Sequence, residues 1–309
     1  MENIHSFHFS STDGVHQCFA QEWLPDGKPR AVVQIVHGIA EHIGRYDHVG
    51  RFLAGQGIVV CGEDHLGHGK TAQKGEYGFF AKEGGWELVC DDVRQLRRLQ
   101  GETYPGVPYF LLGHSMGSFL ARTYLCRFPG DVDGCILSGT GQENALLVAG
   151  GKALAALFCR TQGAHSVSPL IQAMSLGAYN KKFSPNRTAA DWISRDEGAV
   201  DDYLADPLCR FLPTVSMFRD MMGGLQYISS PAALSRMDPG TPIYIFSGSK
   251  DPVGHMGKSV RTVHGYFEKQ GTRDLQMKLY PEGRHEMFNE INRQEVLDDL
   301  LAWLNAHIH

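Results

Sequence analysis

Six short apolar runs, separated by helical patterns, constrain this chain more than any other feature. They are 31-AVVQIV-36, 58-IVVCGE-63, 108-PYFLLG-113, 134-GCILSG-139, 242-PIYIFSG-248 and 275-LQMKLY-280. Between several of them lie amphipathic stretches such as 86-WELVCDDVRQLRRLQ-100 and 118-SFLARTYLCRF-128. Strands that are apolar throughout must be covered on both faces. Their alternation with helices therefore predicts a mainly parallel sheet with helices on both sides, an α/β fold. A hairpin precedes this core: 4-IHSFHF-9 and 15-VHQCFAQEWL-24 flank the turn signal Asp13-Gly14.

The rhythm breaks after Gly141. From there to about Ser230 no strand run is found, only helix-like pieces rich in Ala, Leu and Met, punctuated by prolines at 169, 185, 207 and 213. The pattern resumes at Pro242. This predicts residues 1–140 and 231–309 as one core, with 141–230 inserted as a helical cap, because a connection of that length is more than a loop.

Composition excludes several classes. Of the 309 residues, 42% are hydrophobic and 20% charged, which suits a globular chain with a large core. A formal net charge of -5 argues against nucleic acid as a partner. The seven cysteines form no C-x-x-C pair and mostly sit in apolar runs, so they read as buried thiols in a reducing compartment. The N-terminal segment lacks the charged and apolar regions of a signal peptide, and no run is long enough to span a membrane. The expected location is the cytoplasm.

Strand 108-PYFLLG-113 runs directly into Gly113-His114-Ser115-Met116-Gly117, and a helical pattern follows. G-x-S-x-G between strand and helix places a serine on a tight turn, with its hydroxyl projecting into a cleft. Small residues on either side let the backbones pass closely, and the helix aims its N-terminal amides at the same point. Ser115 is the expected nucleophile, and the Met116 N–H faces a developing oxyanion. A serine needs a base, and on such folds the order is Ser, then Asp or Glu, then His. Asp251 follows the run ending at Gly248, and His285 follows the run ending at Tyr280. Both lie just past strand ends, on the sheet edge that carries Ser115. The second oxyanion donor belongs in the loop after the first parallel strand, 37-HGIAEH-42, where Ile39 N–H is the candidate and His37 braces the loop.

Other motifs fail. His285-Glu286 begins an H-E-x-x-H zinc pattern, but the fifth position is Asn289. Asn289 is instead placed to cap the final helix. 69-GKT-71 lacks the earlier glycine of a P-loop, because that position is Asp64. His65 and His68 have no metal partner at convincing spacing, so no metal is expected. Of the Met-rich piece 217-MFRDMM-222, a core role is the simpler reading.

Together, 37-HGIAEHIGRY-46, 64-DHLGHGKT-71, 113-GHSMGS-118, 249-SKDPVG-254 and 284-RHEMFNE-290 resemble the monoacylglycerol lipase and lysophospholipase branch of the α/β-hydrolases, across about residues 30 to 309. The resemblance implies an eight-stranded sheet with a helical cap. It implies hydrolysis of a fatty-acyl ester with no cofactor, and transient contact between the cap and a membrane or micelle. Ser115, Asp251 and His285 match the family's triad, and Ile39 and Met116 its oxyanion amides. Glu41 and Arg45 match positions near the polar head group, and His114 and Phe288 are grouped with them as substrate contacts. Phe288 stands where the animal enzymes carry a second histidine, and Ile39 where they carry a smaller residue. The segments 179–197 and 201–211 are more similar to the caps of bacterial lysophospholipases. Leu146, Leu154, Met174 and Leu176 are the expected lining of the acyl channel. A short-acyl carboxylesterase and an aminopeptidase remain the alternatives within the same chemistry, and a non-catalytic binding protein the alternative outside it.

Overall fold

The computed structural model describes residues 3–174, 176–209 and 211–308, with only the backbone of Met174 and Leu176. Eight strands form one sheet: β1 (Ile4–Ser10), β2 (Gln17–Trp23), β3 (Ala31–Val36), β4 (Ile58–Glu63), β5 (Tyr109–His114), β6 (Gly134–Ser138), β7 (Ile243–Gly248) and β8 (Leu275–Tyr280). Their order is β1-β2-β4-β3-β5-β6-β7-β8, with β3 to β8 parallel and β1 and β2 antiparallel at one edge. The six apolar runs coincide with the six parallel strands. The hairpin pairs Ile4 with Trp23 through Ser10 with Gln17. Its turn is held by the Asp13 carboxylate, which accepts from the N–H groups of Val15 and His16.

The helices are α1 (Asp47–Ala54), α2 (Gly85–Thr103), α3 (Met116–Arg127), α4 (Ala145–Gln162), α5 (Pro169–Met174), α6 (Leu176–Tyr179), α7 (Glu197–Ala205), α8 (Val215–Tyr227), α9 (Pro231–Leu234), α10 (Lys258–Lys269) and α11 (Arg293–His307). Every residue of β3 is buried, yet its side chains divide by the strand period of two. Val32 and Val36 join the core under α2, α3 and α10, and Val33 and Ile35 join the core under α1 and α11.

Strand order reverses between β3 and β5, because β4 lies on the far side of β3. Loops leaving these two strands diverge, which opens a crevice at their C-terminal ends. Residues His37 to Ile39 leave β3 there, and Ser115 leaves β5.

Between β6 and β7 the regular elements among the described residues are all helices, with no strand. Local chemistry starts these helices. Asn144, Asp196, Thr214 and Ser230 each accept hydrogen bonds from the first-turn amides of α4, α7, α8 and α9. Pro169 and Pro231 occupy first helical positions, where no N–H is needed. The roots of this segment are tied by Arg122, a fully buried cation on α3. It donates to Gly141 O at 2.9 Å, Gln142 Oε1 at 3.0 Å and Ile228 O at 3.4 Å. Burial, unrelieved by any carboxylate among the described residues, pulls its pKa down to about 10.

Candidate active site

Ser115 stands at the junction of β5 and α3 with φ 53° and ψ −121°, a strained conformation for a residue with a Cβ. The strain is held in place on both sides. Ser115 N–H donates to Ser138 O at 2.9 Å, and Ser118 donates to Ser115 O from both its N–H (2.9 Å) and its Oγ (2.6 Å). The glycines of the motif are obligatory: a Cβ on Gly117 would lie 1.9 Å from Val36 O, and one on Gly113 would lie 2.4 Å from Gly117 O. The serine therefore sits where β3, β5 and α3 pack backbone against backbone.

His285 and Asp251 come together in the loops after β8 and β7. His285 Nδ1 lies 3.0 Å from Asp251 Oδ1. The carboxylate has only acceptors, so Nδ1 carries the proton and Nε2 is left with its lone pair. Asp251 is fixed in turn by Ser247 Oγ at 2.7 Å and Val253 N–H at 2.9 Å. Burial opposes charge on His285, but the field and hydrogen bond of Asp251, aided by Glu286 and Glu41, outweigh it. Its pKa is raised above the ordinary histidine value. His285 and Ser115 line the same small cavity, with Ile39, Glu41, His114 and Trp192.

His114 packs beside His285, ring centroids 4.8 Å apart. Burial, and then the neighbouring His285, push its pKa down to about 3, so it stays neutral and bonds to Ser138 Oγ at 3.1 Å. Gly139, at φ 58°, makes room for this pair. A Cβ there would stand 3.0 Å from the His285 ring and 3.1 Å from the His114 ring.

The two expected oxyanion donors are uncommitted. Among the described residues, neither the Ile39 N–H nor the Met116 N–H has a hydrogen-bond partner in the protein. The loop that carries Ile39 rests on stacked imidazoles. The His37 and His65 ring centroids are 4.0 Å apart. His37 Nδ1 donates to Gly38 O at 2.7 Å, and His65 N–H donates to His37 Nε2 at 3.1 Å. Burial holds the His37 pKa well below its usual range, and that of His68 down to about 3. The His37, His65 and His68 rings pack against one another beneath this loop.

Glu41 and Arg45 belong to a buried ion network. The Arg45 guanidinium forks onto Glu286 at 2.8 and 2.7 Å and reaches Glu41 Oε2 at 3.0 Å. Burial works against the Glu286 carboxylate, yet Arg45 holds its pKa down at about 2. Glu41 shifts the other way, raised by burial and by the like charge of Glu286. Glu41 Oε1 accepts from Gly38 N–H and from Tyr46 Oη, so the network fixes the turn that presents Ile39. Arg45→Met would strand two buried carboxylates. It is expected to cost about 3–5 kcal/mol of stability, read as a lowered denaturant midpoint with an unchanged slope.

Two expectations need correction. Phe288 lines neither cavity that Ser115 lines. It is buried between Phe246 (5.4 Å) and Tyr46 (6.5 Å) in the core under α1 and α11, because an apolar ring at that position gains more from the core than from a polar pocket. Asn289 does not cap the last helix. It donates from Nδ2 to Glu286 Oε2 at 2.9 Å, and Asn292 holds the capping position.

A second cavity, of about 380 Å³, opens on Ser115, Met116 and Ile39. Its walls are mainly apolar and come from α4 and α8, with Leu146, Leu154, Phe218 and Met222 among them. The methionines divide, Met217 being wholly buried in the core and Met221 and Met222 lining the cavity. The expected lining residues Met174 and Leu176 have side chains outside the described residues. Trp192, which no sequence pattern singled out, lies across His285 at 5.0 Å and borders both cavities. Its segment is bolted to the histidine loop. Glu286 N–H donates to Ile193 O at 2.7 Å, Arg284 donates to the carbonyls of Asp191 and Ser194, and Arg195 pairs with Glu290 at 2.9 Å.

A mainly parallel sheet with a serine on a strained turn after β5 defines an α/β-hydrolase. A family model described as serine aminopeptidase, S33, matches residues 27–292. The monoacylglycerol lipase of Mycolicibacterium smegmatis is 31% identical over 306 residues, covering 97% of this chain and 96% of that protein. Human monoglyceride lipase is 28% identical over 303 residues, covering 96% and 89%. A thermostable carboxyl esterase from Bacillus coagulans, solved in complex with glycerol, matches with a TM-score of 0.92 and 30% identity over the whole of both chains. The chain belongs to the serine aminopeptidase S33 family of α/β-hydrolases.

Proposed function

We propose that this chain is a serine hydrolase that cleaves the carboxylic esters of monoacyl lipids, of the monoacylglycerol lipase or lysophospholipase type. The observation that carries this reading is the apolar cavity of about 380 Å³ that ends at Ser115. Its size and lining suit a fatty-acyl chain, with the ester carbonyl at the polar end. Ser115 attacks that carbonyl as His285 Nε2 takes its proton. The amides of Ile39 and Met116 stabilise the oxyanion. His285 then protonates the leaving alcohol, and an acyl-enzyme forms on Ser115. A water activated by the same nitrogen releases the fatty acid. Asp251 keeps the His285 tautomer and stabilises its cation.

Residues 141–230 act as the cap. Leu146 and Leu147, on α4, line the cavity and are 83% and 67% exposed. Apolar side chains at a cavity mouth favour transient contact with a membrane or micelle surface. No helix among the described residues is long and apolar enough to cross a membrane.

A hydrolysis panel of monoacylglycerols, lysophospholipids, short aryl esters and aminoacyl amides tests the reading, together with fluorophosphonate labelling. The expected outcome is labelling that requires Ser115 and highest kcat/KM on a monoacyl lipid. Preference for aminoacyl amides over every ester would overturn the substrate, and labelling independent of Ser115 would overturn the mechanism.

The pH profile follows from His285. Activity needs its neutral form, and the fields of Asp251, Glu286 and Glu41 raise its pKa against burial. The rate is therefore expected to fall on the acid side with an inflection above the ordinary histidine value of about 6.5. An acid limb in kcat/KM centred well below that value would contradict the arrangement.

A further inference from the structure

Away from the cavities at Ser115, one cluster among the described residues carries the donor set of a metal site. His42 lies on the loop between β3 and α1, the same loop that presents Ile39. Asp206 and Cys209 follow α7 in the cap. One ligand atom from each of these three residues lies within 4.8 Å of the others, and His42 Nε2 is 2.9 Å from Asp206 Oδ2. Cys209 is buried, and His42 and Asp206 are partly buried.

All three are positioned by backbone bonds independent of any ion. Leu208 N–H donates to Asp206 Oδ1 at 2.8 Å, and Cys209 N–H to Asp206 O at 3.1 Å. The residue after His42 is fixed by Ile43 N–H donating to Asp64 Oδ1 at 2.8 Å. One imidazole nitrogen, one carboxylate oxygen and one thiol sulfur suit a borderline-soft cation. Magnesium and calcium prefer all-oxygen sets. Zinc bonds of about 2.0–2.3 Å would bring the ligand atoms closer than 4.8 Å, by about an ångström, which is a side-chain adjustment. The charges nearby are Glu41 and Glu286 on one side of the balance and Arg45 on the other. With Asp206 itself, the surroundings remain negative and tolerate a cation.

We propose that His42, Asp206 and Cys209 form a binding site for a divalent cation of the zinc class that joins the cap to the oxyanion loop. The Cys209 thiol releases its proton to solvent as the sulfur–metal bond forms, and the His42–Asp206 hydrogen bond gives way as the imidazole turns a proton-free nitrogen to the ion and keeps a proton on its other nitrogen, with no change of oxidation state. A solvent water completes the fourth position. The ion would tie the segment after α7 to the loop that carries Ile39, Glu41 and Arg45. It would thereby oppose movement of one against the other.

Chelator-treated full-length protein titrated with Co²⁺ and Zn²⁺ tests this. The expected result is one equivalent of Co²⁺ with a thiolate-to-cobalt charge-transfer absorption. That absorption is lost in Cys209→Ser and in Cys209→Ala, and retained in Cys159→Ser, which alters the one cysteine that is not buried. His42→Ala weakens Co²⁺ binding at least about tenfold, as loss of a ligand should. Zn²⁺ is expected to slow amide hydrogen exchange in both 201–209 and 39–46. No charge-transfer band in the wild-type protein, or a band that survives both Cys209 substitutions, overturns the site. Protection confined to one of the two segments overturns the bridge.

Discussion

Ser115→Ala is expected to lower kcat for a monoacyl ester by about 10⁵–10⁶-fold while leaving substrate binding nearly unchanged. The size follows from how the site is built. Ser118 Oγ is committed to Ser115 O, and Ser138 Oγ is bonded to His114, so neither hydroxyl is free to replace the lost one. The Ile39 and Met116 amides and the apolar cavity survive the substitution and would still bind the ester. The folded core should tolerate the change, because Ser115 is held through its backbone rather than its side chain. Steady-state kinetics with a burst titration in the parent protein would measure it. A residual rate within a hundredfold of the parent would show that another nucleophile carries the reaction.

Asp251→Asn is the second large effect, a fall of about 10⁴-fold in kcat. Asp251 is wholly buried and receives a Ser247 hydroxyl, the Val253 amide and His285 Nδ1–H. An amide in that place offers a donor where His285 also donates. The ring then favours the tautomer with Nε2 protonated, which cannot accept the serine proton. The same substitution removes the carboxylate that does most to hold the His285 pKa up against burial, with Glu286 and Glu41 contributing less. The residual activity should therefore show its acid limb at lower pH than the parent, opposite to the shift that a merely destabilised protein would give. Kinetics across pH 4 to 9 at matched folded fraction separate the two.

Much of this site is legible along the chain, for a physical reason. In a parallel sheet each chemical residue follows the strand that carries it. The run ending at Gly113 therefore points to Ser115, the one ending at Gly248 to Asp251, and the one ending at Tyr280 to His285. The close approach of Gly117 to Val36 O leaves no alternative to glycine, so the turn announces itself in composition. Glu41 and Arg45 are less legible. Nothing local says that Glu286, 241 positions from Arg45, completes the network. Trp192 is invisible for a similar reason. It lies in irregular backbone, and its position over His285 depends on bonds from Arg284, Arg195 and the Glu286 amide that link segments some 90 residues apart.

Phe288 illustrates the opposite case, a residue whose sequence neighbours mislead. Three positions after His285, it could face the substrate or turn inward. Core packing against Phe246 and Tyr46 decided for the inward course.

The sequence by itself determined the strand runs, the strained serine turn, the helical character of the long connection and the order of the three candidate catalytic residues. These depend on periodicity, glycine sterics and adjacency to strand ends, all of which are local. The tertiary structure alone decided the pairing of Arg45 with Glu286, the cover of Trp192 over His285, the division of the methionines between core and cavity, and the meeting of His42 with Asp206 and Cys209. Each of these joins residues far apart in the chain, and which distant side chains meet is settled only when the core and the inserted helices pack together.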